Sequence, residues 1–318
     1  MKIPDLLENA IEKEIQKVKI TELKEIARKL SDRYMNEKRS GQTLLSKEKE
    51  ALAYLGIRMP ATFCAISTAL KQTLKVAENC KIETVLDIGA GTGAAVWAIN
   101  EQIDTTKIIC LEREEAMRQV GQSLIKQSEE LSEVEWINAD ITKAEEIKGA
   151  DLIISSYMIN ELKQEDRRKV IEKLLNLESK IILIIEPGTP EGFKNIKQIQ
   201  EIVLEKGANI IAPCTHQGMC KLPEDDWCHS TVRVERSKIQ KILKSGDAPY
   251  EDEKFSYIAI SKEKIETAQS RILRHPIIET GKITLKLCKN GNIEQKIITK
   301  KEKELFKEAK KKKCGDSI

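Results

Sequence analysis

No stretch of this 318-residue chain holds the roughly 20 consecutive apolar residues that a membrane-spanning helix needs. The opening residues, MKIPDLLENAIEKEIQK, lack the apolar stretch of a secretory signal, so the expected location is cytoplasmic with no membrane contact. Charge of one sign is scarce as well: 54 Lys and Arg against 51 Asp and Glu leave a net charge of only +3. Cysteine is sparse, at eight residues, and in a reducing compartment these do not form a disulfide framework. Clustered cysteines then point to metal or redox chemistry, and scattered ones to small buried hydrophobes. What is present is ample apolar content, 40% of the residues, enough for one large domain or two modest ones.

The small net charge hides an asymmetry. Residues 296–313 carry nine Lys against three Glu, a stretch that suits either a solvated helix face or a phosphate backbone. At the other end, residues 1–80 read as a helical extension. Ile11, Ile15, Val18 and Ile20 lead into TELKEIARKLSDRYM, where Leu23, Ile26 and Leu30 recur at helical spacing, and a further helix is expected to start after Pro60.

From Lys81 the texture changes. Short apolar runs, TVLDI, KIICLE, VEWINA, ADLIISSYM and KIILIIEP, alternate with charged helical patterns, which predicts a parallel, doubly wound sheet over 81–206. Its ligand should lie at the carboxyl ends of the strands. Residues 207–262 read as a cysteine-rich loop and the end of the sheet. Residues 263–318 read as a small β-module in which LCKNGNIEQKI folds as a hairpin on its Asn-Gly turn, followed by a basic helical tail.

TVLDIGAGTGAA places Gly89, Gly91 and Gly93 between a strand and a helix, where glycines let backbone approach a ligand. The spacing also fits the dinucleotide pattern G-x-G-x-x-A. Asp87, two residues before the first glycine, and Glu112, at the end of the next strand, separate the readings. A pyrophosphate wants an uncluttered helix N-terminus, whereas an ammonium and a sulfonium favour negative charge nearby. Here the chain resembles the class I S-adenosylmethionine-dependent methyltransferases. The resemblance implies that Asp87, Gly89, Gly91 and Gly93 hold the cofactor, that Glu112 takes its ribose hydroxyls, and that Asp140, in WINADI, lies near its adenine. The position where many amino-methyltransferases carry an Asn- or Asp-Pro-Pro-aromatic motif reads SSYMINEL, so no catalytic residue is assigned. Tyr157, Asn160 and Glu161 are candidates to line a substrate pocket or merely to pack. Methyl transfer to a basic nitrogen depends chiefly on alignment, so a missing general base does not exclude it.

CTHQGMCKLPEDDWC sets Cys214, Cys220 and Cys228 on one irregular loop, where thiolates need a positive centre to offset their repulsion and desolvation. Pro213-Cys214 follows the fifth strand and a helix, the wrong place for a pyrimidine C5-methyltransferase nucleophile. Zinc with His216 or His229 is one reading. Four-thiolate ligation with Cys288 suits either zinc or an iron-sulfur cluster, and spacing alone does not choose. Cys314, in the tail, is a rival fourth ligand. Cys64 and Cys110 read as core residues, Cys80 as a helix end, and His275, before Pro276, as structural.

The stretches YLGIRMPATF, IIEPGTPEGF, APCTHQGMCKLPEDDWCHSTVRVERS, EDEKFSY and GKITLKLC resemble a family of methyltransferase-like proteins associated with the small ribosomal subunit, whose mitochondrial members are assembly factors. The resemblance implies a [4Fe-4S] cluster on Cys214, Cys220, Cys228 and, as the natural fourth, Cys288. It implies the small ribosomal subunit and its rRNA as partners, with Arg233, Arg236 and Lys238 and the tail residues Lys310, Lys311, Lys312 and Lys313 as candidate RNA contacts. The expected function is rRNA methylation, subunit assembly or both, the competing reading being an RNA-binding factor that does not turn the cofactor over. The fold expected is α/β: a class I methyltransferase Rossmann-like doubly wound sheet with an N-terminal helical extension, a cysteine-rich metal-binding insertion and a small C-terminal β-module.

Overall fold

In a computed structural model, residues 1–36, 47–128, 131 and 134–318 are described. Three helices come first: α1 (Asp5–Ile15), α2 (Ile20–Asn36) and α3 (Glu48–Val76). In α1 the apolar residues Leu7, Ala10, Ile11 and Ile15 recur at helical spacing and are buried. The third helix differs from the sequence expectation, because it starts twelve residues before Pro60 and passes through it. Proline removes one i→i−4 bond, that to the Gly56 carbonyl, but Leu52, Leu55, Met59 and Phe63 around it are at most 2% exposed. Burial of most of its surface holds this turn helical. Gly56 also gives the turn its closeness, since a Cβ there would collide with Leu243 and Ile15.

The strands β1 (Thr84–Ile88), β2 (Lys107–Leu111), β3 (Glu135–Ile137), β4 (Leu152–Ser156), β5 (Ile181–Pro187), β6 (Asn209–Ala212), β7 (Ser230–Glu235) and β8 (Tyr250–Ser261) form an eight-stranded sheet. Its order is β3-β2-β1-β4-β5-β8-β6, with β7 paired to the first half of β8. Pairs among β1 to β5 are parallel, while β8 runs antiparallel between β5 and β6. This is the class I methyltransferase topology. The connecting helices are α4 (Ala94–Asn100), α5 (Glu115–Ile125), α6 (Gln164–Asn176), α7 (Pro190–Glu205) and α8 (Lys238–Leu243).

The strands are apolar on both faces because both are covered. Val85, Cys110, Ile154 and Leu183 face one core with α1 to α5, whereas Leu86, Ile153, Ile182 and Ile184 face the other with α6 and α7. The helices of residues 1–80 thus share one core with the sheet. The charged segment after the cysteine loop supplies β7, α8 and β8, the last of these twelve residues long.

A separate sheet comprises β9 (Ser270–Ile272), β10 (Ile277–Glu279), β11 (Lys282–Lys289) and β12 (Asn292–Thr299), and α9 (Lys303–Ala309) covers one face with Leu305 and Phe306. The β11–β12 turn is the expected Asn-Gly pair, with φ of 47° at Asn290 and 79° at Gly291. Past α9 the chain folds back onto β9, where the Gly315 amide donates to the Ile272 carbonyl and the Ile272 amide to that of Asp316.

Candidate functional site

The glycine loop runs from the end of β1 into α4 with all three glycines at positive φ, 72°, 57° and 83° for Gly89, Gly91 and Gly93. Side chains tolerate such backbone poorly, which is why glycines stand there. The loop forms one wall of a cavity at the carboxyl ends of β1, β2 and β4, also lined by Glu112, Arg113, Asp140, Tyr157, Met158 and Glu161. Of the residues expected at the cofactor, Gly89, Gly91, Glu112 and Asp140 line this cavity, and Asp87 and Gly93 do not.

Glu112 stiffens the loop directly. One carboxylate oxygen accepts from the Gly91 amide at 2.8 Å and the other from the Glu114 amide at 2.7 Å, leaving lone pairs on both for a ligand. Burial pushes this carboxyl up, against the pull of those two amides. Asp140 is tied down locally: its Oδ1 accepts from the Thr142 amide and hydroxyl, and Arg113 stands 3.6 Å from Oδ2. Burial opposes these contacts, but together they hold Asp140 below its ordinary value.

Asp87 is the anomaly. It is fully buried, neither carboxylate oxygen has a partner among the described residues, and burial, with the Glu112 charge second, pushes its pKa up to about 8. A buried polar atom without a partner costs about 1–3 kcal/mol, more when charged, so a carboxyl left this way beside a cavity indicates a missing donor or cation. An ammonium or sulfonium supplies one. The residues present therefore fit S-adenosylmethionine.

The opposite wall is built by the segment after β4. Tyr157 sits at φ 60°, half-buried against the cavity, and its hydroxyl donates to Glu253 of β8 at 2.9 Å. Arg58 of α3 forms an ion pair with the same carboxylate at 3.0 Å. Beneath this segment Glu186 accepts from the Asn160 amide and from Asn195, with Arg167 donating to the Asn195 side chain and the Asn160 carbonyl. Burial pushes Glu186 up to about 7. Glu253, Arg58 and Glu186 carry no local signature, because their roles depend on pairings across 9 to 195 residues.

A second cavity lies between α7, β8 and the C-terminal module, and Cys214, Cys220, Cys228 and Cys288 all line it, with His216 and His229 at its wall. The loop docks on the module through Lys221 to Asn292, through Thr215 to Cys288 and the Gly291 amide, and through Asp226 to Arg274 and Lys286. Gln200 of α7 grips it from the other side, donating to the Gly218 carbonyl and accepting from the Cys220 amide. Burial pushes the Cys214 thiol up to about 12, with Cys220 and Cys288 adding to the rise, and pushes Cys220 and Cys228 up too. Such thiols stay protonated unless a cationic centre claims them.

All four are free thiols. Among the described residues no three His, Cys, Asp or Glu side chains converge on a point where one metal ion could sit. Four thiols lining one cavity have donor chemistry that suits either zinc or an iron-sulfur cluster. Cys314 leaves the contest: it is buried, and its thiol donates to the His229 and Leu273 carbonyls, because the tail is folded rather than free.

The candidate RNA contacts are dispersed. Arg233 pairs with Asp252 and stacks on Tyr250 at 4.2 Å, and Arg236 is bound to Glu251. Lys310, Lys311 and Lys313 are exposed, and Lys312 pairs with Glu308. Lys238 opens α8, Cys64 and Cys110 are buried as expected of core residues, and His275 is exposed. Among the described residues no helix is long and apolar enough to cross a membrane.

These two cavities lie within the part of the chain that matches known proteins. The human mitochondrial ribosome assembly protein METTL17 is 22% identical over 298 residues, covering 87% of this chain and 64% of that protein. The Rsm22-cox11 tandem protein 2 of Schizosaccharomyces pombe is 22% identical over 205 residues, 58% of this chain and 27% of that protein. The chain thus spans less than two thirds of the length of these relatives. Among solved structures, the plantazolicin methyltransferase BpumL in complex with S-adenosylhomocysteine superimposes with a TM-score of 0.46 and 14% identity over 78% of this chain and 99% of that one. The family model described as mitochondrial small ribosomal subunit Rsm22 matches residues 48–318, nearly the whole chain from α3 onward, and the chain belongs to that family.

Proposed function

We propose that this protein is an S-adenosylmethionine-binding assembly factor of the small ribosomal subunit that contacts rRNA and carries a [4Fe-4S] cluster on Cys214, Cys220, Cys228 and Cys288. The observation that carries the reading is that the family match covers both cavities in full, together with the relative that is a ribosome assembly protein. The C-terminal module supports an RNA partner: residues 263–318 hold 15 Lys and Arg against 8 Asp and Glu.

When bound, S-adenosylmethionine supplies an electrophilic methyl group. Asp87, which keeps its proton in the empty site, would release it to face a cationic amino-acid end, Glu112 would offer lone pairs to the ribose, and Asp140 would border the adenine end. Arg58 and Glu253 hold Tyr157 against the opposite wall. With its hydroxyl committed to Glu253, Tyr157 shapes the cavity rather than offering a free donor or base. This favours a role in binding, and methyl transfer would rest on alignment alone.

Small-subunit particles incubated with radiolabelled S-adenosylmethionine and either wild type or Asp87→Ala separate the readings. Particle association with no labelled RNA is the expected result. Label that depends on Asp87 would make the protein an rRNA methyltransferase, and failure of the wild type to associate with particles would end both versions. Anaerobically purified protein is expected to hold iron and sulfide and to absorb broadly near about 400 nm, a band lost in Cys220→Ser.

A further inference from the structure

The cysteine cavity has a buried cation in its wall. Arg271 of β9 is 4% exposed, and the hydrogen bonds its guanidinium makes among the described residues all end on uncharged oxygens: Nε donates to the Pro213 carbonyl at 2.6 Å, and Nη1 to Gln72 Oε1 at 2.8 Å, to the Tyr257 hydroxyl at 3.2 Å and to the Gly315 carbonyl. A buried guanidinium whose acceptors are all neutral keeps its charge uncompensated.

The fold places it among the cysteines. Arg271 stands directly opposite Cys288 in the antiparallel register of β9 and β11, so both side chains project from the same face. Its Nε holds the carbonyl of the residue preceding Cys214, and the side chain lines the cavity together with the four thiols. We infer that Arg271 is the built-in counter-charge of the cysteine cavity: a positioning residue that favours a net-negative, thiolate-ligated centre there and anchors the two chain segments that carry Cys214 and Cys288.

The inference rests on the iron-sulfur reading above. Four thiolates outweigh the charge of the iron-sulfide core that they hold, so the filled site is anionic, and Arg271 then gains the partner it lacks. Burial of a bare cation opposes the empty folded state and the ion pair favours the filled one. The preference of the folded chain for a filled site is thereby increased.

The test compares the full chain as wild type, Arg271→Met, Arg271→Lys and Gln72→Met, each stripped with chelator and then reconstituted anaerobically with ferrous iron and sulfide. Arg271→Met is expected to lose more melting temperature reconstituted than stripped, to release iron to a chelator at least about tenfold faster, and to show a lower reduction potential. Arg271→Lys keeps the charge and should hold the wild-type potential. Gln72→Met removes the acceptor that Arg271 and Tyr257 share and should lower melting equally in both states, leaving the potential in place. Equal losses for Arg271→Met in the two states, with unchanged potential, would assign Arg271 a merely structural role and overturn the inference. If Arg271→Met does not fold, Arg271→Lys decides it: wild-type potential supports the counter-charge, and a potential lowered despite the retained charge overturns it. Wild type that takes up no iron and sulfide would instead end the iron-sulfur reading itself.

Discussion

Replacing Asp87 by Asn should stabilise the ligand-free protein, and by an amount that grows with pH. Burial, with the Glu112 charge second, raises the Asp87 pKa from 3.8 to about 8. The folded chain therefore keeps this proton up to about pH 8, while the unfolded chain releases it near 3.8. Raising pH between those values favours unfolding: the contribution is fully present below about pH 4, shrinks as pH rises, and is gone above about 8. At about 1.36 kcal/mol per pH unit, the wild type loses about 4 kcal/mol between pH 5 and pH 8 through this one group. Asn cannot ionise and escapes that loss, though its buried amide carries its own pH-independent cost of about 1–3 kcal/mol. The decisive quantity is therefore the change in the stability difference between the two proteins, measured by urea unfolding of stripped protein at pH 5, 6.5 and 8. A difference that stays flat within about 1 kcal/mol would show that Asp87 is not held as described. In the same variant, affinity for S-adenosylhomocysteine should fall about tenfold or more, equivalent to about 1.4 kcal/mol. A gain in stability coupled to a loss of binding is the signature of a strained site kept for its ligand.

Tyr157→Phe removes the hydroxyl that donates to the Glu253 carboxylate and should cost about 1.5–3 kcal/mol by denaturant unfolding while weakening cofactor binding; an unchanged midpoint would mean the bond adds nothing. Asp226→Ala leaves Arg274 and Lys286 without the carboxylate that ties the cysteine loop to the module. It is expected to cost about 1–3 kcal/mol and to expose the loop to limited proteolysis, and a wild-type cleavage pattern would count against that tie. Changing Lys310, Lys311 and Lys313 together to Gln should reduce the salt slope of binding to small-subunit RNA by about 2, and an identical slope would remove the tail from the interface.

The sheet and its glycine loop were legible in the sequence because each depends on local pattern: apolar runs of strand length, and glycines where φ must be positive. Pro60 misled because the rule against interior proline assumes an exposed helix, and this one is buried around the proline apart from the stripe of Tyr54 and Arg58. The twelve residues of β8 were obscured for a different reason. Its first half pairs only with β7 at the sheet margin and carries Glu251, Asp252 and Glu253, so it reads as charged loop, while its second half is central and apolar. The acids there are consumed by Lys244 and Arg236, by Arg233, and by Arg58, the last of them 195 residues away. The four cysteines could be gathered from spacing and resemblance, but Arg271 could not: nothing in SRILRH sets it apart from Arg274 until β9 pairs with β11.

β8 also explains why the two cavities occur in one fold unit. At Glu253 it fixes the Tyr157 wall of the cofactor cavity. Three residues on, Ser256 donates to the Cys228 carbonyl at 2.8 Å, and Tyr257 reaches Gln72 of α3 at 2.6 Å while accepting from Arg271. Ser256 is the register partner of Glu186, which holds the segment after β4. A strand in the centre of a sheet cannot shift by one residue without sending every side chain to the opposite face. The register that seats Glu253 against Tyr157 is therefore the register that sets Ser256 and Tyr257 at the cysteine loop. Residues 81–206 alone would have the glycine loop and the acids but neither the Glu253 support nor the second cavity, so the cofactor site is complete only when the chain beyond residue 206 has folded against it.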